Sequence, residues 1–188
     1  MPRDVDRAHL HPAFRALNDQ LQAEVTAAGI PIAPFEMWRD PNRQAYLYAE
    51  GRTGGIGTPG HHVTFESAWC SLHQFGLACD WVWRDASGAW SWAPPSGFTW
   101  DQFHALAAKV GLVYLNFEQP HVQLAGISAR DILAGKVPYP PGGDDSWEQN
   151  IEAAIVAWGR SPKVVDGQQN AGAPPLPSAA MKPPVVAA

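Results

Sequence analysis

The stretch Ser71-Leu72-His73-Gln74-Phe75-Gly76-Leu77-Ala78-Cys79-Asp80 constrains this chain more than any other. It sets a histidine and a carboxylate seven positions apart, with a glycine between them. If His73 and Asp80 bind one metal ion, bonds of about 2.0–2.2 Å bring their donor atoms within roughly 4 Å of each other. No regular element does that. A helix would separate the two by about 10 Å along its axis, and a strand by about 23 Å and onto opposite faces. The chain must double back between them, and Gly76 is the residue that can turn without steric cost. Forty residues on, Glu118-Gln119-Pro120-His121 supplies a second histidine with a carboxylate three positions before it. His73, Asp80 and His121, with Glu118 uncommitted, form the inventory of a catalytic zinc site that keeps its fourth position open.

The segment Ser71 to Asp80 resembles the S-x-H-x-x-G-x-A-x-D signature of the LAS-type zinc peptidases, which include D-Ala-D-Ala carboxypeptidases and L-alanyl-D-glutamate endopeptidases. Glu118 to His121 is similar to that family's (D/E)-x-P-H motif. Upstream, Leu10-His11-Pro12 resembles the opening of the endopeptidase branch. Arg39, Gln44, Leu47-Tyr48 and Gly51-Arg52-Thr53 resemble its R-x-x-x-x-Q-x-x-L-Y-x-x-G-R-T block, and Val63-Thr64 stands where the family has "VT". One departure is clear. The family's "WGGxW" linker is absent, and Val113-Tyr114-Leu115-Asn116-Phe117 runs directly from Gly111-Leu112 to Glu118, which bears on subsite preference more than on chemistry.

The resemblance implies an α+β fold, a small antiparallel sheet flanked by helices, of the hedgehog/DD-peptidase-like kind. It implies one zinc ion on His73, Asp80 and His121, with Glu118 as general base. Arg39 would hold a substrate carboxylate or the oxyanion, and Gln44 and Ser71 would bind substrate. For Ser71, a hydroxyl that only structures its loop is an equal alternative. The implied substrate is a peptidoglycan stem peptide, cut at L-Ala–D-Glu. The alternatives are a D-Ala-D-Ala carboxypeptidase with the same site and a non-catalytic, zinc-containing wall-binding domain. A thiol hydrolase using Cys70 or Cys79 is a further rival, although it leaves the order of the motifs unexplained.

The chain of 188 residues is expected to be one catalytic domain over residues 1–138, a C-terminal helix packed on it over 139–160, and a disordered Pro/Ala-rich tail over 161–188. A formal charge of −5 without basic runs argues against a nucleic-acid partner. No apolar run is long enough to span a bilayer. The charged N-terminus does not read as a signal peptide, so synthesis in the cytoplasm is expected. Action on the cell wall would then follow release, as for a phage or prophage endolysin. A monomer is expected. Cys70 and Cys79 read as free, buried thiols.

In order, a helix is expected from Pro12 to Ala28, with Phe14, Leu17, Leu21, Val25 and Ala28 on one stripe, ended by Gly29. Ile30 to Trp38 reads as an edge strand interrupted by Pro31 and Pro34. Asp40-Pro41 opens a second helix. The glycines between residues 52 and 62 make a loop ending in His61 and His62, which stay outside the ligand set. Asp80 to Trp92 reads as a hairpin in which Trp81 and Trp83 pair across strands with Trp90 and Trp92, or alternatively form a stacking ledge. Thr99 and Gln102 form a capping box for a helix that leaves His104 solvated. Residues 112–115 and 121–124 read as short strands. Ser128 caps a short helix, and Ser146 with Gln149 starts a last one to Trp158.

Overall fold

The computed structural model describes residues 3–52, 57–134, 136 and 146–160. In chain order the helices are α1 (Pro12–Ala27), α2 (Pro41–Ala49), α3 (Trp100–Lys109), α4 (Ala129–Leu133) and α5 (Ser146–Arg160). The strands are β1 (Ile32–Glu36), β2 (Ala78–Arg84), β3 (Trp90–Ser91), β4 (Leu112–Leu115) and β5 (Glu118–Leu124). They belong to two compact units, one made of Met1–Trp38 with Phe75–Gly126, the other of Arg39–Gln74 with the described part of Ile127–Ala188.

The first unit is an antiparallel sheet in the order β1-β2-β5-β4, with β3 also paired to β2, and helices α1 and α3 beside it. The α+β architecture expected from the motifs is the one found. β1 lies at an edge, where Pro34 costs no interior ladder bond. In α1, His11 accepts the Ala13 N–H and Pro12 occupies the first turn. The helix ends before Gly29, whose φ of +64° is left-handed. Its buried stripe is Phe14, Asn18, Leu21 and Val25. Phe14, Leu21 and Val25 are buried as expected, but Leu17 is half-buried with Asn18 buried beside it, and Ala28 is exposed. The reason is polar: Asn18 Oδ1 accepts the indole N–H of the fully buried Trp81 at 3.2 Å.

The hairpin tryptophans do not pair with one another as expected. Register sets Trp83 opposite Ser91 and Arg84 opposite Trp90. A strand alternates faces, so this one-residue offset sends the two sets apart. Trp81 packs on Phe103 and Trp83 on Trp100, both against α3. Trp90 and Trp92 instead meet Phe35 edge-on at 5.0 and 5.1 Å, and the Arg84 guanidinium covers Trp90.

The Thr99–Gln102 capping box is present at the start of α3. His104, expected to be solvated, is buried: its ring stacks on Tyr114 of β4. β5 begins at Glu118, three residues earlier than the motif suggested, because it includes Pro120 within an irregular stretch.

In the second unit, Asp40 caps α2 by accepting the N–H groups of Asn42 and Arg43. Ser128 and Asp131 form the capping box of α4. α5 buries Trp147, Ile151, Ala154 and Trp158, and Trp158 meets Trp69 edge-on at 6.4 Å. Trp69 is fully buried at φ +63°, a conformation that costs a bulky residue about 1–3 kcal/mol and is held here by its packing. The tail over 161–188 lies outside the described residues. Among the described residues no helix is long and apolar enough to cross a membrane.

Candidate metal centre

Gly76 makes the turn between His73 and Asp80. A 3-10 turn over Leu72–Phe75 carries His73, and Gly76 follows at φ +64°. A Cβ there would lie 2.5 Å from the His9 carbonyl oxygen and 2.8 Å from the His11 nitrogen, so space as well as φ demands glycine. The Gly76 carbonyl accepts the His11 N–H at 2.9 Å. The Leu10-His11-Pro12 block is therefore a structural seat for this turn, a role its sequence did not disclose.

β2 then carries Asp80 directly opposite His121 of β5, while Glu36 of β1 faces Asp80 in the other register. His121 Nδ1 lies 3.4 Å from Asp80 Oδ1, and its Nε2 lies 3.0 Å from Gln123 Oε1. An amide oxygen only accepts, so Nε2 carries the proton; in the neutral ring Nδ1 keeps its lone pair for a metal ion, and in the protonated ring Nδ1–H donates to Asp80 Oδ1. Burial works to lower the His121 pKa. The Asp80 hydrogen bond and charge, the Glu118 charge and the Gln123 bond outweigh it and leave the pKa raised.

Glu118 opens β5 and is half-buried. Three residues of a regular strand would set Glu118 and His121 on opposite faces. The pairing steps from Tyr114–Val122 straight to Leu115–Glu118, so residues 119–121 bulge and break that alternation.

In the second unit, Arg39 is buried, and its Nη1 donates to Gln44 Oε1 at 3.0 Å. Its backbone N–H donates to the His73 carbonyl at 3.2 Å. Gln44 is 0 % exposed; its Oε1 also accepts from Gln74 Nε2 at 3.1 Å, and its Nε2 donates to Thr64 Oγ1 and the Glu66 carbonyl. The Gln44 amide is thus engaged at both ends within the protein, with Arg39 among its partners. Gln74, overlooked in the sequence, joins the same network, and its Oε1 accepts the Ser71 N–H at 3.2 Å. Ser71 Oγ accepts the His73 N–H at 3.4 Å, which supplies a contact for the loop-structuring alternative.

His73, Asp80 and His121 are all buried, and one possible ligand atom from each lies within 4.8 Å of the others. Two donors on one ion at about 2.0–2.2 Å stand at most roughly 4.4 Å apart, so closure of a few tenths of an ångström suffices. Two imidazoles and a carboxylate suit zinc or a divalent ion of similar ligand preference. His61 and His62 are exposed and outside this cluster. Cys79 is fully buried, and its thiol is pushed well up by burial and by the charges of Asp80 and Glu36, the reverse of an activated nucleophile. Cys70, expected to be buried, is half-buried and accepts from Ser67 Oγ at 3.3 Å; both thiols are free.

No family model matches the chain. Over 83 residues it is 32% identical to the peptidoglycan L-alanyl-D-glutamate endopeptidase CwlK of Bacillus subtilis (strain 168), a match covering 44% of this chain and 47% of that protein. The chain thus spans about half the length of this curated relative. Among solved structures, an L,D-carboxypeptidase, DacB, from Streptococcus pneumonia superposes with a TM-score of 0.44 at 21% identity, covering 72% of this chain and 74% of the other.

Proposed function

We propose that this chain, which resembles the LAS-type peptidases in its motifs and in its likeness to the Bacillus subtilis endopeptidase, is a zinc-dependent peptidoglycan peptidase that hydrolyses a stem-peptide bond, L-Ala–D-Glu by preference. The observation that carries the reading is the buried His73, Asp80 and His121 set with the Glu118 charge acting on His121.

His73, Asp80 and His121 would hold the ion. Zinc bound there supplies Lewis acidity and lowers the pKa of a water towards about 7. Gln123 holds the His121 ring in the tautomer that leaves Nδ1 as ligand, the second-layer support that metal-binding imidazoles need. Glu118 takes the proton of the attacking water and delivers it to the leaving amine. Arg39, its guanidinium fixed by Gln44, offers a planar fork to a substrate carboxylate or to the developing oxyanion. Ser71 would hold its loop with the hydroxyl oxygen and keep the hydroxyl proton for substrate. The same proposal covers action on the wall as an endolysin-like enzyme.

The test is digestion of purified peptidoglycan, followed by labelling of new amino termini and mass spectrometry of released peptides. New D-Glu amino termini support the endopeptidase reading. Release of terminal D-Ala instead would assign the carboxypeptidase reaction to the same site, and wall binding without any cleavage would assign a binding domain.

A further inference from the structure

His104 is a buried histidine that the mechanism above leaves without a task. It projects from α3, is 4 % exposed, and lies flat on Tyr114 of β4, with ring centroids 4.1 Å apart and planes 4° from parallel. Trp100 and Phe103 pack against it at 6.1 and 5.8 Å. Its Nε2 sits 2.8 Å from the Gln119 carbonyl oxygen. A carbonyl only accepts, so Nε2–H donates.

The position of that carbonyl gives the bond its consequence. Gln119 lies inside the β5 bulge, between Glu118 and His121, where the β4 register skips residues 119–121. The next residue, Pro120, has no N–H to pin the segment to a neighbour. Glu118 pairs with Leu115 of β4 and His121 with Asp80 of β2, but among the described residues no strand pairing holds Gln119 and Pro120 between them. Donation by His104 fixes the middle of that segment, and the Tyr114 stack fixes the donor.

We propose that His104 is a positioning residue, which through the Gln119 carbonyl sets the shape of the bulge and hence the placement of both His121 and Glu118. The inference rests on the peptidase reading above. It assigns to one hydrogen bond an influence on metal affinity and on proton transfer together.

The test uses the full chain with His104→Phe, which keeps a flat ring but loses the donor, and His104→Gln, which keeps a donor but loses the stack. Tyr114→Ala, at a partly exposed site, loosens the ring without touching the bond and serves should His104→Phe fail to fold. Zinc dissociation constants by chelator competition, kcat and KM on purified wall peptides, and melting temperatures are measured for each. For His104→Phe the expected result is zinc binding weakened about 10–100-fold and kcat lowered by roughly 100-fold, with KM changed less than about threefold. His104→Gln should recover most of both losses, and Tyr114→Ala should show smaller losses in the same direction. Zinc affinity and kcat within about twofold of wild type in a folded His104→Phe would overturn the proposal, as would equal losses in the Phe and Gln variants that merely follow melting temperature. Wild-type protein that binds zinc but cuts no wall would sink the peptidase reading alone, because the affinity comparison still decides the role of His104.

Discussion

The Arg39 guanidinium donates to the side-chain amide oxygen Oε1 of Gln44 at 3.0 Å, and Gln44 has no surface of its own. Gln44→Leu removes that acceptor, which the Gln74 amide also uses. The expected cost is about 1–3 kcal/mol of stability, as for buried groups left unsatisfied. Peptidase activity should fall further than stability explains, because Arg39 loses its anchor. Urea unfolding beside kcat/KM checks both.

Glu118→Gln keeps size and hydrogen bonding while removing the base. The expected kcat loss is roughly 10²- to 10⁴-fold. Zinc affinity should change little, since Glu118 is not counted among the ligands. Chelator competition run beside the kinetics separates the two effects.

The raised pKa of His121 gives metal binding a pH dependence with a definite sign. Below that pKa the metal-free protein holds a proton that zinc must displace, so affinity falls about tenfold per pH unit for this group. Above it the contribution levels off. Removing either the Gln123 bond or the Glu118 charge takes away one of the raising influences, so the onset of the loss should move to lower pH. Competition titrations between about pH 5 and 8 span the range in which histidines change charge.

Gly76→Ala meets both a left-handed φ and the His9 carbonyl 2.5 Å from the new Cβ. Strain of this kind costs about 1–3 kcal/mol before the steric clash is added. A lower melting temperature and weakened zinc binding are expected together, because the residue shapes the turn between His73 and Asp80.

How far the sequence disclosed this protein differs from place to place. The turn at Gly76 was legible because two donors for one ion at that spacing exclude both helix and strand. The caps at Asp40, Thr99 and Ser128 were legible because they are local chemistry. Asn18 was passed over and His104 misread for a shared reason: a stripe of apolar positions ignores polar groups that are buried to satisfy a distant partner. For His104 a signal existed, since it lies three residues before the buried Ala107 and so on the same helical side. Its partner, the Gln119 carbonyl, is presented by a bulge that no periodicity reveals. The tryptophan faces depended on a one-residue register between β2 and β3, which the hairpin sequence leaves undetermined. Gln44 carried a family role in the sequence without its burial, and only the structure reveals the network it forms with Arg39 and Gln74.

The most direct measurement is peptidoglycan digestion by the full chain in three arms: untreated, treated with chelator and then resupplied with zinc, and alkylated with iodoacetamide. The account predicts new amino termini in the untreated arm, their loss with chelator, their return with zinc, and no effect of alkylation, because Cys79 is fully buried and the half-buried Cys70 has no part in the mechanism. Cleavage that survives complete metal removal, or that alkylation alone abolishes, would contradict it.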